Sequence, residues 1–194
     1  GTNAKLLGLQ YDVEPYLHSW SSTNDAAGIA TNTRTINGLI DMLAQAKTTI
    51  SGSGLMLDLA PPRWYDTQFA LVPNVFIRRG FTTPQNKSAM KYLMDVVDIY
   101  TVQDYVVTGP TIYADGLGEV TYGNQTGKKV RIGVEVGAGY GNGTSFADSP
   151  NPTCANLNAQ LADAFSRFSS AGVTGGFDGF AIEYYPTWKI MCNY

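Results

Sequence analysis

The stretch Val130 to Val136, with the sequence VRIGVEV, decides the fold class. It is short, nearly continuous in apolar residues and rich in β-branched ones, which suits a strand buried on both faces of a parallel sheet. Similar stretches lie before and after it, at Leu6–Glu14, Gly54–Ala60, Val97–Val107 and Phe177–Tyr185. We therefore expect a buried strand in each of these places.

Segments with helical spacing of apolar side chains lie between the predicted strands. They are Thr35–Ile50, Gln85–Val96, Asp115–Thr126 and Ala155–Ala171. The last is the clearest, because Gly172 follows it as a C-terminal stop. Alternation of strands and helices predicts an α/β fold with a parallel sheet, in one domain of residues 1–194.

The charge pattern and the short apolar stretches disfavour two classes of partner, nucleic acids and membranes. The net charge is −3 and charged residues make up 15% of the chain, with no basic stripe that could neutralise nucleic-acid phosphates. No apolar stretch approaches the ~20 residues that a membrane helix needs, so no membrane span is expected. The chain opens with Gly1-Thr2-Asn3, which is typical of a processed or truncated start.

Cysteines and glycosylation triplets favour a secretory route. Cys154 and Cys192 predict one disulfide, with two unpaired thiols of a cytosolic protein as the alternative. N-x-S/T triplets mark three asparagines, while Asn151 is excluded by the proline after it. We expect a secreted, extracellular glycoprotein, although such triplets also arise by chance; the asparagines are Asn86, Asn124 and Asn142.

Acidic residues lie mostly near the carboxyl ends of the predicted strands. In a (β/α)-barrel these ends meet at one rim, where the active site lies. Buried charges are costly unless they are paired, so a functional rim is one explanation and pairing with Arg63, Arg78, Lys129 or Arg131 is the other. The acids are Asp12, Glu14, Asp58, Asp104, Glu135 and Glu183.

Asp12 and Glu14 are two positions apart and share a strand face with Gln10. A neighbouring acid can tune a glutamate that protonates a leaving oxygen, and such a pair can also bind a cation. No calcium-loop spacing appears, although calcium remains an alternative for this pair. His18 is the single histidine, so no transition-metal site is expected, and no cofactor is expected either.

Aromatic residues accompany the acids. Aromatic rings stack on the C–H faces of sugars, so acids and aromatics at a barrel mouth fit a carbohydrate cleft. Ordinary packing is the alternative for at least half of these rings. They are Tyr11, Tyr16, Trp20, Trp64, Tyr65, Tyr105, Tyr184, Tyr185 and Trp188.

The segment Gly8–Glu14 resembles the fourth-strand signature of chitinase-type glycoside hydrolases, D-G-x-D-x-D-x-E. Asp12 matches its last aspartate and Glu14 its catalytic glutamate. Leu7 and Gln10 replace the other two aspartates.

The whole chain is more similar to secreted barrel proteins allied to glycosidases. The shared features follow in order: Asp12-Val13-Glu14-Pro15, Gln103-Asp104-Tyr105, Gly127–Glu135, Ala181–Tyr185 and Trp188-Lys189. This resemblance implies strands four to eight of a (β/α)8 barrel, which makes the chain a TIM-barrel-like α/β fold that is incomplete, with about five β/α units. A missing amino-terminal half or self-association would then complete the barrel.

The resemblance also implies roles for single residues. Glu14 would be the general acid. In the chitinase-type mechanism the acetamido group of the substrate attacks the anomeric carbon of the same sugar, and Asp12 would orient that group. Asp104 or Tyr105 would help to hold that group, and Tyr185 or Trp188 would form the floor of the sugar site. Gln10 and Trp64 are further candidates for substrate binding. In an ordinary two-carboxylate mechanism, Glu14 would act with Glu135 or Glu183.

Two alternatives remain open. One is a carbohydrate-binding protein on a degenerate glycosidase barrel, which the replacements Leu7 and Gln10 favour. The other is a structural extracellular protein whose subunits complete one another, since barrels support many unrelated functions.

Overall fold

The computed structural model describes residues 6–23, 25–66, 78–80, 82 and 87–193, apart from the side chains of His18 and Ser19. Five strands form one parallel sheet in the order of the chain. Helices alternate with them, so the α/β prediction is confirmed. The strands are β1 (Gly8–Tyr11), β2 (Met56–Leu59), β3 (Ile99–Gln103), β4 (Lys129–Glu135) and β5 (Phe177–Glu183).

The described helices follow the strands in sequence. A 3-10 turn, Arg63–Tyr65, comes after β2. The helices are α1 (Tyr16–Ser19), α2 (Ala26–Thr49), α3 (Ala89–Val96), α4 (Gly109–Thr126), α5 (Cys154–Ser170) and α6 (Tyr185–Cys192). Contacts divide the chain into two compact units, Gly1–Tyr100 and Thr101–Tyr194, and the single domain stays a prediction.

In the first unit, α2 supplies much of the core. Ile36 and Leu43 of α2 are fully buried, and the helix packs against α3. Asp25 caps its first turn by accepting a hydrogen bond from the Gly28 amide at 2.7 Å. At the opposite end, Lys47 pairs with Asp98 at 2.5 Å, and Asp98 also accepts the Leu57 amide at 2.8 Å. This carboxylate therefore fixes the end of the helix to the start of β2.

In the second unit, α4 and α5 pack together, and α4 also contacts β4. Val130, Ile132 and Val134 of β4 share one face and are fully buried, and Gly133 and Glu135 on the opposite face are buried too. This pattern is expected for a strand covered on both faces. Gly127 ends α4 in the left-handed conformation at φ 72°, which a glycine adopts without strain.

The last helix, α6, has no buried residue. The predicted disulfide between Cys154 and Cys192 is confirmed, and it joins the first residue of α5 to the last residue of α6. A covalent bond thus holds a helix that has no core of its own.

Several predicted boundaries were wrong. The strand expected to reach Val107 ends at Gln103, because the amides of Asp104 and Val106 bond to carbonyls only two residues back and turn the chain. Helix α2 begins at Ala26 and α4 at Gly109, well before the expected starts. Both starts are marked by caps, from Asp25 and Thr108, rather than by apolar periodicity.

Candidate functional site

In the first unit, a carboxylate follows the carboxyl end of β1. The strand ends at Tyr11, so Asp12 and Glu14 lie just beyond it rather than on one strand face. Asp12 is exposed and Glu14 is half-buried. The Tyr16 hydroxyl group donates a hydrogen bond to Oε1 of Glu14 at 2.5 Å. The Glu14 carboxylate is thus held by a phenol from the next helical turn.

Gln10 and Asp58 lie opposite each other in the register of β1 and β2. Nε2 of Gln10 donates to Oδ2 of Asp58 at 2.9 Å. Asp58 is 6% exposed, so this amide partly replaces the water that the carboxylate loses on burial. Gln10 and Asp58 therefore form a polar pair beside the segment that carries Glu14.

Four aromatic rings pack together in the same unit, and Tyr16 is one of them. The Tyr16 ring lies edge-on to Trp64, with centroids 4.9 Å apart. Trp20 stacks on Tyr65 at 6.1 Å, and Trp64 lies edge-on to Tyr65 at 4.8 Å. We call Tyr16, Trp20, Trp64 and Tyr65 the aromatic cluster. It fixes the orientation of the phenol that holds Glu14.

Burial and the charge of Glu14 keep the cluster's phenols protonated. Burial raises the pKa of Tyr16, and the hydrogen bond to Glu14 raises it further. Burial also raises the pKa of Tyr65, and the Glu14 charge adds to that effect. Both hydroxyl groups thus remain hydrogen-bond donors at any physiological pH.

In the second unit, two glutamates end neighbouring strands. Glu135 and Glu183 are Cα partners in the register of β4 and β5, and neighbouring strands lie about 4.8 Å apart. Glu135 is 2% exposed and accepts a hydrogen bond from the Gly137 amide, whereas Glu183 is exposed. Burial raises the pKa of Glu135, the Gly137 amide opposes this effect, and the charge of Glu183 adds to it.

The loop after β4 is closed by a carboxylate that was not anticipated. Asp148 accepts the amides of Gly139, Tyr140 and Gly141 at 2.8, 2.7 and 2.8 Å. These bonds lower the pKa of Asp148. Gly139 and Gly141 have φ near 97° and 96°, so the loop requires residues that tolerate positive φ. The glycine-rich stretch Val136–Gly143 was the available sequence signal.

The remaining predicted catalytic residues of the second unit follow β3. Asp104 is fully buried, and its amide donates to the Gly133 carbonyl at 3.0 Å. Tyr105 is half-buried. Asp104 therefore lies in the interior rather than on an accessible surface.

The predicted sugar-contacting rings follow β5. Tyr185 is 62% exposed and Trp188 is half-buried, with ring centroids 5.7 Å apart. Tyr184, which precedes them, is 53% exposed, and the Glu183–Tyr184 peptide bond is cis. These rings thus form an exposed aromatic surface next to Glu183 in the chain.

The structure brings some predicted residues together and leaves others separate. Within the first unit it groups Gln10 with Asp58, and Glu14 with Trp64 through Tyr16. Within the second it groups Glu135 with Glu183, and Tyr185 with Trp188. Sequence reasoning did not foresee Tyr16 as a partner of Glu14.

The predicted glycosylation sites differ in their surroundings. Asn142 is exposed in the loop after β4, and Asn124 is exposed in the last turn of α4. Asn86 lies outside the described residues.

The described residues contain neither a candidate metal site nor a membrane-spanning helix. Within the described ranges, no group of three or more His, Cys, Asp or Glu side chains is arranged to hold a metal ion. None of the helices described above is long and apolar enough to cross a membrane.

Comparisons with known proteins identify no relative. No family model matches the chain, and neither a curated protein nor a solved structure is significantly similar to it.

Proposed function

We propose that the chain is a secreted, glycoside-hydrolase-like protein that acts on carbohydrate at Glu14. The observation that carries the proposal is the hydrogen bond from Tyr16 to Glu14 at the edge of the aromatic cluster. An oriented carboxyl group beside aromatic rings offers both parts of a sugar site, a polar group for hydroxyls and apolar surface for C–H faces.

In this proposal Glu14 donates a proton to the glycosidic oxygen as the bond from that oxygen to the anomeric carbon breaks. Water then adds to the anomeric carbon and returns a proton to Glu14. The Tyr16 hydroxyl group occupies Oε1, so Oε2 is the oxygen that carries the proton. Asp12 lies close enough for its charge to raise the pKa of Tyr16, and it would stabilise positive charge that develops at the anomeric carbon. Trp64, half-buried at the cluster's edge, would contact the sugar ring.

We also propose a TIM-barrel-like architecture, of which the five β/α units form a part. The parallel order of the strands supports it, as does the position of Glu14, Glu135 and Glu183 at or just beyond strand carboxyl ends. Strands β1 and β5 are the outer strands of the sheet, so a further segment of chain or a second copy would complete the barrel.

Hydrolysis by a Glu14→Gln variant tests the activity. Glutamine keeps the shape and accepts the Tyr16 hydrogen bond, but it cannot donate the proton. We expect tetrasaccharides of chitin, cellulose or starch to be cleaved by the unaltered protein and roughly 100-fold more slowly by the variant. Asp163→Asn, which alters a surface carboxylate of α5 in the second unit, is the control and should keep full activity. Equal rates for Glu14→Gln and the unaltered protein would exclude Glu14 as the acid.

Carbohydrate binding without hydrolysis is the second candidate, and the Gln10–Asp58 pair favours it. A neutral amide occupies the position of a signature aspartate and is already bonded to Asp58, so the charge pattern of the signature is altered. In this case the unaltered protein would bind a tetrasaccharide without cleaving it. The Glu14→Gln variant would likewise show no hydrolysis. Calorimetric titration together with product analysis separates the two candidates.

A further inference from the structure

Tyr65 carries a buried hydroxyl group with no hydrogen-bond partner among the described residues. Only 3% of the residue is exposed. A buried hydroxyl group in this state has lost the hydrogen bonds that water gives it in the unfolded chain, and this loss opposes folding. Buried polar groups of native proteins are nearly always paired, so this one calls for an explanation.

The neighbouring phenol shows the contrast. Tyr16 belongs to the same aromatic cluster, and its ring lies edge-on to Tyr65 with centroids 6.5 Å apart. The Tyr16 hydroxyl group is paired with Glu14. Of these two phenols beside one carboxylate, one is therefore paired, and the other has no hydrogen-bond partner among the described residues.

The surroundings of Tyr65 define what it could bind. Burial and the Glu14 charge raise its pKa, so the hydroxyl group is a donor and requires an acceptor. The same negative charge disfavours an anionic acceptor near it. A neutral oxygen, as in a hydroxyl group, a ring ether or an amide carbonyl group, meets both conditions.

We propose that Tyr65 is a ligand-contacting residue of the Glu14 site, donating its hydrogen bond to a neutral oxygen of the bound sugar. This inference rests on the proposed function and adds a residue to its site. Tyr16 and Trp64 are half-buried and pack on Tyr65. In this proposal a displacement of the half-buried Trp64 ring gives the ligand access to the Tyr65 hydroxyl group, and the Tyr16 hydrogen bond to Oε1 of Glu14 is kept.

Two phenylalanine variants, Tyr65→Phe and Tyr16→Phe, test the inference, because each keeps the ring and removes one hydroxyl group. In the protein without ligand, Tyr65→Phe should leave the unfolding midpoint in urea unchanged or higher, since the part of the chain that the structure describes gives the lost group no partner. Tyr16→Phe should lower the midpoint, since its hydrogen bond to a carboxylate is lost. Calorimetric titration with chitotetraose should show roughly three- to tenfold weaker binding for Tyr65→Phe.

Each contrary result has one meaning. A lower unfolding midpoint for Tyr65→Phe would show that the hydroxyl group has a structural partner, and equal chitotetraose affinity would show that it does not contact the ligand. Either result overturns the role of Tyr65 and leaves the role of Glu14 intact. If the unaltered protein binds none of the tetrasaccharides of chitin, cellulose and starch, the proposed function fails, and the ligand role of Tyr65 fails with it.

Discussion

Glu135 and Glu183 are side by side at the ends of β4 and β5, one almost fully buried and the other exposed. Their like charges repel across one strand spacing, and this repulsion adds to the cost of burying Glu135. Burial raises the pKa of Glu135, and the charge of Glu183 raises it further. Two acids in equivalent strand positions thus have different electrostatic surroundings because one is covered by the loop that follows it.

We expect Glu183→Gln to stabilise the protein at neutral pH by about 0.5 kcal/mol, because it removes the repulsion between directly opposed like charges. The direction of the pH dependence follows from the raised pKa of Glu135. Below pH 4.5, the ordinary pKa of a glutamate, Glu135 is protonated in the folded and the unfolded chain, and its charge does not affect the free energy of unfolding. Above that value the unfolded chain releases the proton first, so the free energy of unfolding falls as the pH rises.

Urea denaturation at pH 3.5 and pH 7 measures this effect. The gain from Glu183→Gln should appear at pH 7 and disappear at pH 3.5. A gain of the same size at both values would mean that packing, and not charge, is responsible.

Asp148→Asn should open the loop after β4. The carboxylate accepts three consecutive amides, and a neutral side-chain oxygen holds them less strongly. Because the pKa of Asp148 is lowered, its contribution is present above its ordinary value near 3.8 and is lost as the pH falls below it. At a fixed pH, hydrogen exchange at Gly139, Tyr140 and Gly141 should therefore be faster in the variant. In the unaltered protein the protection factors of these amides, which correct for the slower intrinsic exchange in acid, should fall below pH 3.8.

Asp163→Asn provides the control for the loop. Asp163 pairs with Arg167 on the surface of α5, so its loss should leave exchange in the loop unchanged. If both variants speed exchange at Gly139 equally, the effect reflects general destabilisation rather than the three hydrogen bonds.

Replacing Cys154 and Cys192 with serine should destabilise the chain by about 3 to 4 kcal/mol, the loop-closure estimate for residues 38 positions apart. In this variant no disulfide holds α6, which has no buried residue. We therefore expect the amides of α6 to lose protection from hydrogen exchange at denaturant concentrations where α5 is still folded. Simultaneous loss of protection in α5 and α6 would contradict this order.

Glycosylation should distinguish Asn142 from Asn124 when the chain is expressed through a eukaryotic secretory route. Asn142 lies in an exposed loop between two glycines, whereas Asn124 lies in the last turn of α4. Although Asn124 is exposed, its Oδ1 lies only 2.5 Å from where a side chain on Gly175 would begin, so the amide oxygen faces the backbone there. We expect Asn142→Gln to lower the intact mass by one glycan and Asn124→Gln to leave the glycan count unchanged.

Much of the fold could be predicted from the sequence, because buried parallel strands are recognisable as short apolar runs. The five strands and the disulfide were placed correctly, and each strand falls within one residue of a predicted stretch or inside it. The starts of α2 and α4 could not be predicted from periodicity, since their first turns are polar or glycine-rich and depend on the caps Asp25 and Thr108.

The candidate site was less predictable. Glu14 stood out because it ends a predicted strand and matches a signature. Its partner Tyr16 is one of many tyrosines and becomes distinctive only through its hydrogen bond. The opposite burial of Glu135 and Glu183 depends on a loop whose conformation is set by Asp148, thirteen residues beyond Glu135. Contacts between distant positions of this kind leave no local pattern.

The covalent attachment of α6 has an evolutionary consequence. A helix with no buried side chain is exempt from the packing constraints that restrict substitution in a core. As long as Cys154 and Cys192 are retained, mutations at exposed positions such as Tyr185 and Ile190 can accumulate with little effect on folding. New side chains can therefore appear on the surface of this helix without disturbing the packing of the sheet.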